Sequence, residues 1–122
     1  MALIIEDGSI VSGANSFVTA ADMVAYASLR GVTIPASTTT QEQQLILSMD
    51  YIFSREQSMK GQRTKATQPL PYPRFNVKIR NDYIEDHEIP SELKNAQIEL
   101  AIQVGNSDLL ISETTNNTQS IS

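Results

Sequence analysis

The 122-residue chain contains no cysteine, no tryptophan and a single histidine. Without cysteine it has no disulfide to staple the fold and no thiolate for nucleophilic or redox chemistry. Such a chain suits a reducing cytoplasm. A lone histidine cannot assemble the multi-ligand sets that metals recruit. His87 also lies between Asp86 and Glu88, which reads as a surface residue rather than a ligand or catalytic base. The acids Asp82, Glu85, Asp86 and Glu88 lack the Asp/Asn ladder, central glycine and terminal glutamate of a calcium loop. Gly61-Gln62-Arg63-Thr64-Lys65 lacks the spacing of a phosphate-cradling loop. No apolar run approaches the ~20 residues of a membrane span. Met1-Ala2-Leu3-Ile4-Ile5-Glu6 turns acidic too soon for a signal peptide. These exclusions leave one domain with no expected enzymatic activity, cofactor, metal or membrane contact.

What is present is charge, unevenly placed. The net charge is −5, yet residues 55–80 hold Arg55, Lys60, Arg63, Lys65, Arg74, Lys78 and Arg80 against Glu56 alone. The flanks are acidic. Residues 1–54 carry five acids against Arg30, and residues 81–122 carry eight against Lys94. The basic block admits three readings: a solvated loop, a contact with an acidic block of a neighbouring copy, or a phosphate-binding surface. Tyr72 and Phe75 lie within it, and cations with aromatic rings are what single-strand binders use. A pI near 4.7 argues against a dedicated nucleic-acid domain.

The periodicities predict a mainly α protein. The expected architecture is a small bundle of about three to four helices, with a short N-terminal β-hairpin and a Pro-rich extended loop or short strand before the last helix. Residues 1–106 form the domain and 107–122 an extended tail. Asp7-Gly8, flanked by Leu3-Ile4-Ile5-Glu6 and Ser9-Ile10-Val11-Ser12, is the pair a tight hairpin turn accepts. Thr19 and Asp22 make a capping box, with Val18 and Met23 as a hydrophobic staple, and Gly31 ends a helix over about 20–30. Thr39 and Glu42 repeat the box before a second helix from about 40 to the mid-50s, whose core face is Leu45, Ile46, Met49, Ile52 and Phe53. Phe75, Val77 and Ile79 alternate as a strand, Asn81-Asp82 turns, and Tyr83-Ile84 pairs back. A third helix starts near Pro90 and stops at Gly105-Asn106. Leu93, Ala96, Leu100 and Val104 share one side of it, with Ile98 and Ile102 roughly opposite. A helix apolar on two sides is buried on two sides.

At the centre stands Gln68-Pro69-Leu70-Pro71-Tyr72-Pro73-Arg74. Three prolines at alternating positions exclude helix and central strand, so the chain must run extended here as a brace between helical regions. Leu70 and Tyr72 are expected to anchor it, and Arg74 to pair with an acid of this chain or the next. The residues nominated for partner or oligomer contact are Arg63, Lys65, Leu70, Tyr72, Arg74, Ile98, Ile102, Leu109, Leu110 and Ile111.

Leu3-Ile4-Ile5-Glu6-Asp7-Gly8, Gly13-Ala14-Asn15-Ser16-Phe17-Val18-Thr19, Ala21-Asp22, Ala25-Tyr26 and Arg30-Gly31 resemble the N-terminal signature of a family of small tailed-bacteriophage proteins. Gln68, Leu70 and Tyr72-Pro73-Arg74 resemble its central motif, with tyrosine where tryptophan is usual. Ile89-Pro90, Lys94, Ala96, Glu99-Leu100-Ala101 and Asp108-Leu109-Leu110 resemble its later segments. The family comprises head–tail connectors, or adaptors, often labelled DnaT-like single-stranded-DNA-binding proteins. The connector side implies a homo-oligomeric, twelvefold ring in the virion neck, assembled in the host cytoplasm. Portal protein and a downstream neck or tail protein would be its partners, and DNA would pass through without specific binding. The other side implies an accessory protein that binds single strands.

Overall fold

The computed structural model describes residues 3–107. It contains α1 (Ala20–Leu29), α2 (Thr38–Ser54), a 3-10 turn (Glu56–Ser58), β1 (Gln62–Arg63), β2 (Arg74–Phe75), β3 (Lys78–Ile79), β4 (Asp82–Tyr83) and α3 (Ser91–Ser107). Helix α2 packs chiefly on α3, with α1 against both. The strands form two separate two-stranded antiparallel sheets, β1–β2 and β3–β4.

The expected architecture needs correction on two points. Among the described residues there are three helices with two small mid-chain sheets, not a bundle of three to four helices, and no N-terminal hairpin. The reason lies in Glu6. Its carboxylate is buried and accepts the backbone N–H groups of Gly8, Ile10 and Val11 at 2.8–2.9 Å. These donors are no longer free for a ladder across Asp7-Gly8. Instead Ile5 bridges Ser16 in parallel fashion, and the Glu6 N–H donates to the Ser16 carbonyl. Gly8 takes φ +108°, and a Cβ there would lie 1.9 Å from the His87 carbonyl oxygen. The N-terminal loop therefore docks closely on the segment before α3.

Helix α1 follows its signals. The Thr19 hydroxyl accepts from the Asp22 N–H, and the Asp22 carboxylate accepts from the Thr19 N–H. Val18 and Met23 are both buried. At the other end the Gly31 N–H donates to the Ser28 carbonyl and the Val32 N–H to that of Ala27, a Schellman closure with Gly31 at φ +65°. Helix α2 starts earlier than expected, capped by the Ser37 hydroxyl rather than by Thr39. Its buried stripe is Gln41, Gln44, Leu45, Ser48, Met49 and Ile52. Ile46 is half-buried and Phe53 exposed. Half of that stripe is polar, so an apolar count places the face slightly off its true position.

Helix α3 continues through Gly105. A Cβ at Gly105 would come within 2.6–3.0 Å of the Gln44 amide group. The glycine is thus where α3 lies against α2, not where α3 ends. The buried residues of α3 include Gln97, Ile98, Ala101 and Ile102, whereas Ala96 is exposed and Leu93, Leu100 and Val104 are half-buried. Gln97 is fully buried. Its carbonyl oxygen accepts the Phe17 N–H, and its amide donates to the Ser16 hydroxyl and the Leu45 carbonyl. One side chain thereby ties the N-terminal segment to α2 and α3, and every polar group it buries has a partner.

The Phe75–Ile79 alternation is not one strand. Asn76 at φ 62° breaks it, leaving β2 and β3 in different sheets. The β3–β4 hairpin turns at Arg80-Asn81, both at positive φ, as a two-residue loop of the I′ kind requires. Lys78 pairs with Tyr83 and Ile79 with Asp82, one residue off the expected Asn81-Asp82 turn.

Candidate functional site

The basic block folds around its only acid. Glu56 opens the 3-10 turn after α2. The β1–β2 register sets Arg63 directly opposite Arg74, a like-charge pair that would repel if left alone. Glu56 lies against both. Its carboxylate accepts from Arg63 Nε at 2.7 Å and Nη2 at 2.8 Å, a bidentate fork, and from Arg74 Nη1 at 3.0 Å. The Arg74 guanidinium also donates to the carbonyls of Lys60, Gly61 and Pro71. Arg63 Nη1 donates to the Gln68 carbonyl. Gly61 sits at φ +72°, and a Cβ there would lie 2.1 Å from the Phe75 carbonyl oxygen.

Inside the loop that β1 and β2 close, Gln68 is the hub. Its side-chain oxygen accepts the Lys65 N–H, and its amide donates to the carbonyls of Leu70 and Pro73. Prolines have no N–H to donate, so a buried side chain supplies the donors to these carbonyls instead. Leu70 and Tyr72 are buried in the main core with residues of α1, α2 and α3. The Tyr72–Pro73 bond is cis.

The ionisation states follow from this packing. Hydrogen bonds from Arg63, then its charge and the contact with Arg74, hold the Glu56 carboxyl below its ordinary value of 4.5 against opposing desolvation. The Arg63 guanidinium is held more firmly charged by the same bond to Glu56. Burial pushes the Tyr72 hydroxyl upward, so the ring stays neutral. Because Glu56 is lowered on folding, its contribution to stability is fully present above pH 4.5. It is lost as pH falls through the depressed folded-state value. Glu56→Gln is expected to flatten the stability–pH curve in that acid range and to lower stability at neutral pH. Urea melts at a series of pH values check this, and an unchanged acid slope would contradict it.

Three of the nominated contact residues are thus bound up in the loop's own packing: Leu70, Tyr72 and Arg74 are buried within the protomer. Arg63 is partly covered and ion-paired. Ile98 and Ile102 belong to the protomer core, beside Gln97 on the inner face of α3. Lys65 is exposed. Leu109, Leu110 and Ile111 lie outside the described residues. The residues that sequence reasoning passed over are Glu56, Glu6 and Gln97. Glu56 did carry a signal, as the one acid among seven cations.

The exposed remainder of the block is smaller. Arg55, Lys60, Lys65 and Lys78 are exposed and form no ion pair among the described residues, whereas Arg80 pairs with Glu92. Two rings accompany them: Phe75, at the edge of exposure, and Tyr83, which is 69 % exposed. The Lys78 ammonium stands 5.4 Å from the centroid of the Tyr83 ring. Cations beside open aromatic faces can contact phosphates and stack bases. Among the described residues, no three His, Cys, Asp or Glu side chains converge as a metal set would. No described helix is long and apolar enough to cross a membrane.

A family model described as "Putative DnaT-like ssDNA binding protein" matches residues 1–122. The chain belongs to this family. No curated protein and no solved structure matches it. That family description names single-stranded DNA and does not mention a virion neck. Within this DnaT-like chain, the residues that carry the family resemblance serve the fold. Thr19 and Asp22 cap α1, Ser16 and Phe17 bind Gln97, and Gln68, Leu70, Tyr72 and Arg74 build the loop.

Proposed function

We propose that this protein is a non-enzymatic, single-stranded-DNA-binding accessory protein whose contact surface is the exposed part of the 55–83 region. The whole-length family match carries this reading. The open cations Arg55, Lys60, Lys65 and Lys78 and the rings of Phe75 and Tyr83 support it. Arg63 and Arg74 take no part, since Glu56 already holds them. Three or four phosphate contacts on a single strand give a log–log salt slope of roughly −2 to −3. Lys60→Glu combined with Lys65→Glu is expected to weaken binding of a fluorescent oligo-dT by at least about tenfold and to make the slope shallower. Both side chains are exposed, so melting should stay unchanged. Anisotropy titrations between 50 and 200 mM salt check this. Binding that is undetectable at the lowest salt rejects the reading.

A second reading is a head–tail connector: a ring subunit in a virion neck that meets portal protein and a downstream neck protein while DNA slides through. The observation favouring it is the charge balance. The protein is acidic, with a pI near 4.7, and the two best-placed arginines of its basic block are neutralised internally. An acidic conduit would repel DNA. Ring-shaped particles or co-purification with portal protein, together with absent oligonucleotide binding, is the outcome that selects this reading.

A further inference from the structure

An open groove of about 400 Å³ runs between α1 and the first half of α3. Ala25 and Leu29 give it an exposed apolar patch over the buried Val18 and Ile98, and its rim carries Arg30 and Lys94. Leu29 is 84 % exposed there, the most open of the large apolar side chains among the described residues. Arg30 stacks on the Tyr26 ring at 3.6 Å, and neither Arg30 nor Lys94 has an ion pair among the described residues. The acid on the rim, Asp22, is already engaged by the Thr19 N–H. The groove thus combines an uncovered apolar patch with two cations that have no acidic partner among the described residues. It calls for an apolar segment bounded by carboxylates.

The chain contains such a segment. Asp108-Leu109-Leu110-Ile111-Ser112-Glu113 places three consecutive apolar residues between two acids, immediately after α3. We propose that the α1–α3 groove receives residues 108–113 of a second copy of this chain. Leu109, Leu110 and Ile111 cover Leu29 and its neighbours, and Asp108 and Glu113 meet the cations on the rim. The same chain cannot lay the whole segment in its own groove, because the residues from Asp108 to Leu110 fall short of it. At 1.5 Å per residue, Ser107 stands about 13 Å beyond Ile98 along α3 and about 20 Å beyond Lys94. Leu109 and Leu110 lie two and three residues past Ser107, within about 7 and 11 Å of it even fully extended. The contact is therefore heterologous, one surface meeting a different one, and it propagates from copy to copy as a ring or a filament. It is independent of which reading of the function holds, because copies aligned along a strand and copies closed into a ring both use it.

The absence of cysteine makes the test clean. A Leu29→Cys chain is mixed with a mass-tagged Leu110→Cys chain, oxidised, and resolved by non-reducing electrophoresis. The expected product is the mixed adduct, in excess over dimers of either variant with itself. It should disappear when Leu109→Asp and Ile111→Asp are added to the Leu110→Cys chain. A Leu29→Cys, Leu110→Cys double variant should give a ladder of linked chains at high concentration. Closure within one chain in the double variant, mixed adducts no more abundant than self-adducts, or adducts that persist with the aspartates each overturn the proposal. Leu29 is exposed, so its replacement leaves the fold intact, and circular dichroism of each variant confirms that before oxidation.

Discussion

Arg74→Ala is expected to lower the melting temperature by roughly 12–25 °C, from a loss of about 3–5 kcal/mol at about 4–5 °C per kcal/mol for a chain of this size. The Arg74 side chain is 7 % exposed and its partner Glu56 22 %. Truncation removes one charge-assisted bond to Glu56 and the donors to three carbonyls, of Lys60, Gly61 and Pro71. Those carbonyls line a loop with few N–H groups of its own, because Pro69, Pro71 and Pro73 supply none. Their alternatives are water or nothing, and an unpaired buried acceptor costs about 1–3 kcal/mol. Arg74→Lys should rescue little. An ammonium is a single point of charge on a flexible stem and cannot reach four acceptors in the plane of a guanidinium fork. Thermal melts of wild type, Arg74→Ala and Arg74→Lys decide the matter. If Arg74→Ala melts with wild type and only weakens oligonucleotide binding, the loop is a contact surface and not a brace.

Glu6→Ala should cost about 3–4 kcal/mol, since three backbone donors lose one charged acceptor at about 1–3 kcal/mol each and water reaches part of the loop. Gly8, Ile10 and Val11 all donate to this carboxylate, and Ile10 is held at φ 63° in the loop around it. Glu6→Gln is the sharper variant. It keeps the shape but turns one acceptor into an NH₂ group that faces N–H donors, so it should lose about 2 kcal/mol with little change in volume. Chemical denaturation of the three proteins tests the order wild type, Gln, Ala. Glu6→Gln equal to wild type would mean that water, not the carboxylate, satisfies the loop. Because Gly8 rests against the His87 carbonyl, the same variants should raise hydrogen exchange in residues 84–90 as well as in residues 6–12.

The local grammar of the chain was legible where one signal acted alone. Thr19-x-x-Asp22 caps α1 and Gly31 closes it, because both depend on side chains and backbone within a few residues. Three prolines excluded helix and central strand from the centre, but the expected extended brace is instead a bent loop wrapped around Gln68, with a cis Tyr72–Pro73 bond. Misreadings arose where two local signals were overruled from a distance. Asp7-Gly8 has hairpin chemistry, but Glu6 captures the donors a hairpin would have used. Gly105-Asn106 has stop chemistry, but Gly105 is where α3 lies against Gln44 of α2. Gln97 was invisible to apolar periodicity, which scores a buried glutamine as surface even when all its bonds are made.

The basic block divides along the same line. Seven cations against one acid between residues 55 and 80 are a property of the sequence, and they establish that this region is positive whatever the fold. Which of those charges face solvent was decided only by tertiary structure. The β1–β2 register sets Arg63 against Arg74, and the 3-10 turn after α2 brings Glu56 to both. Two arginines set opposite each other in the ladder are thereby joined through one carboxylate as the clasp of the loop. What the sequence by itself determined is therefore the three helices, the caps of α1 and the sign of each segment's charge. Those follow from interactions over a few residues. The partition of charged and apolar side chains between core and surface follows from contacts made across tens of residues, and only the packed chain contains them.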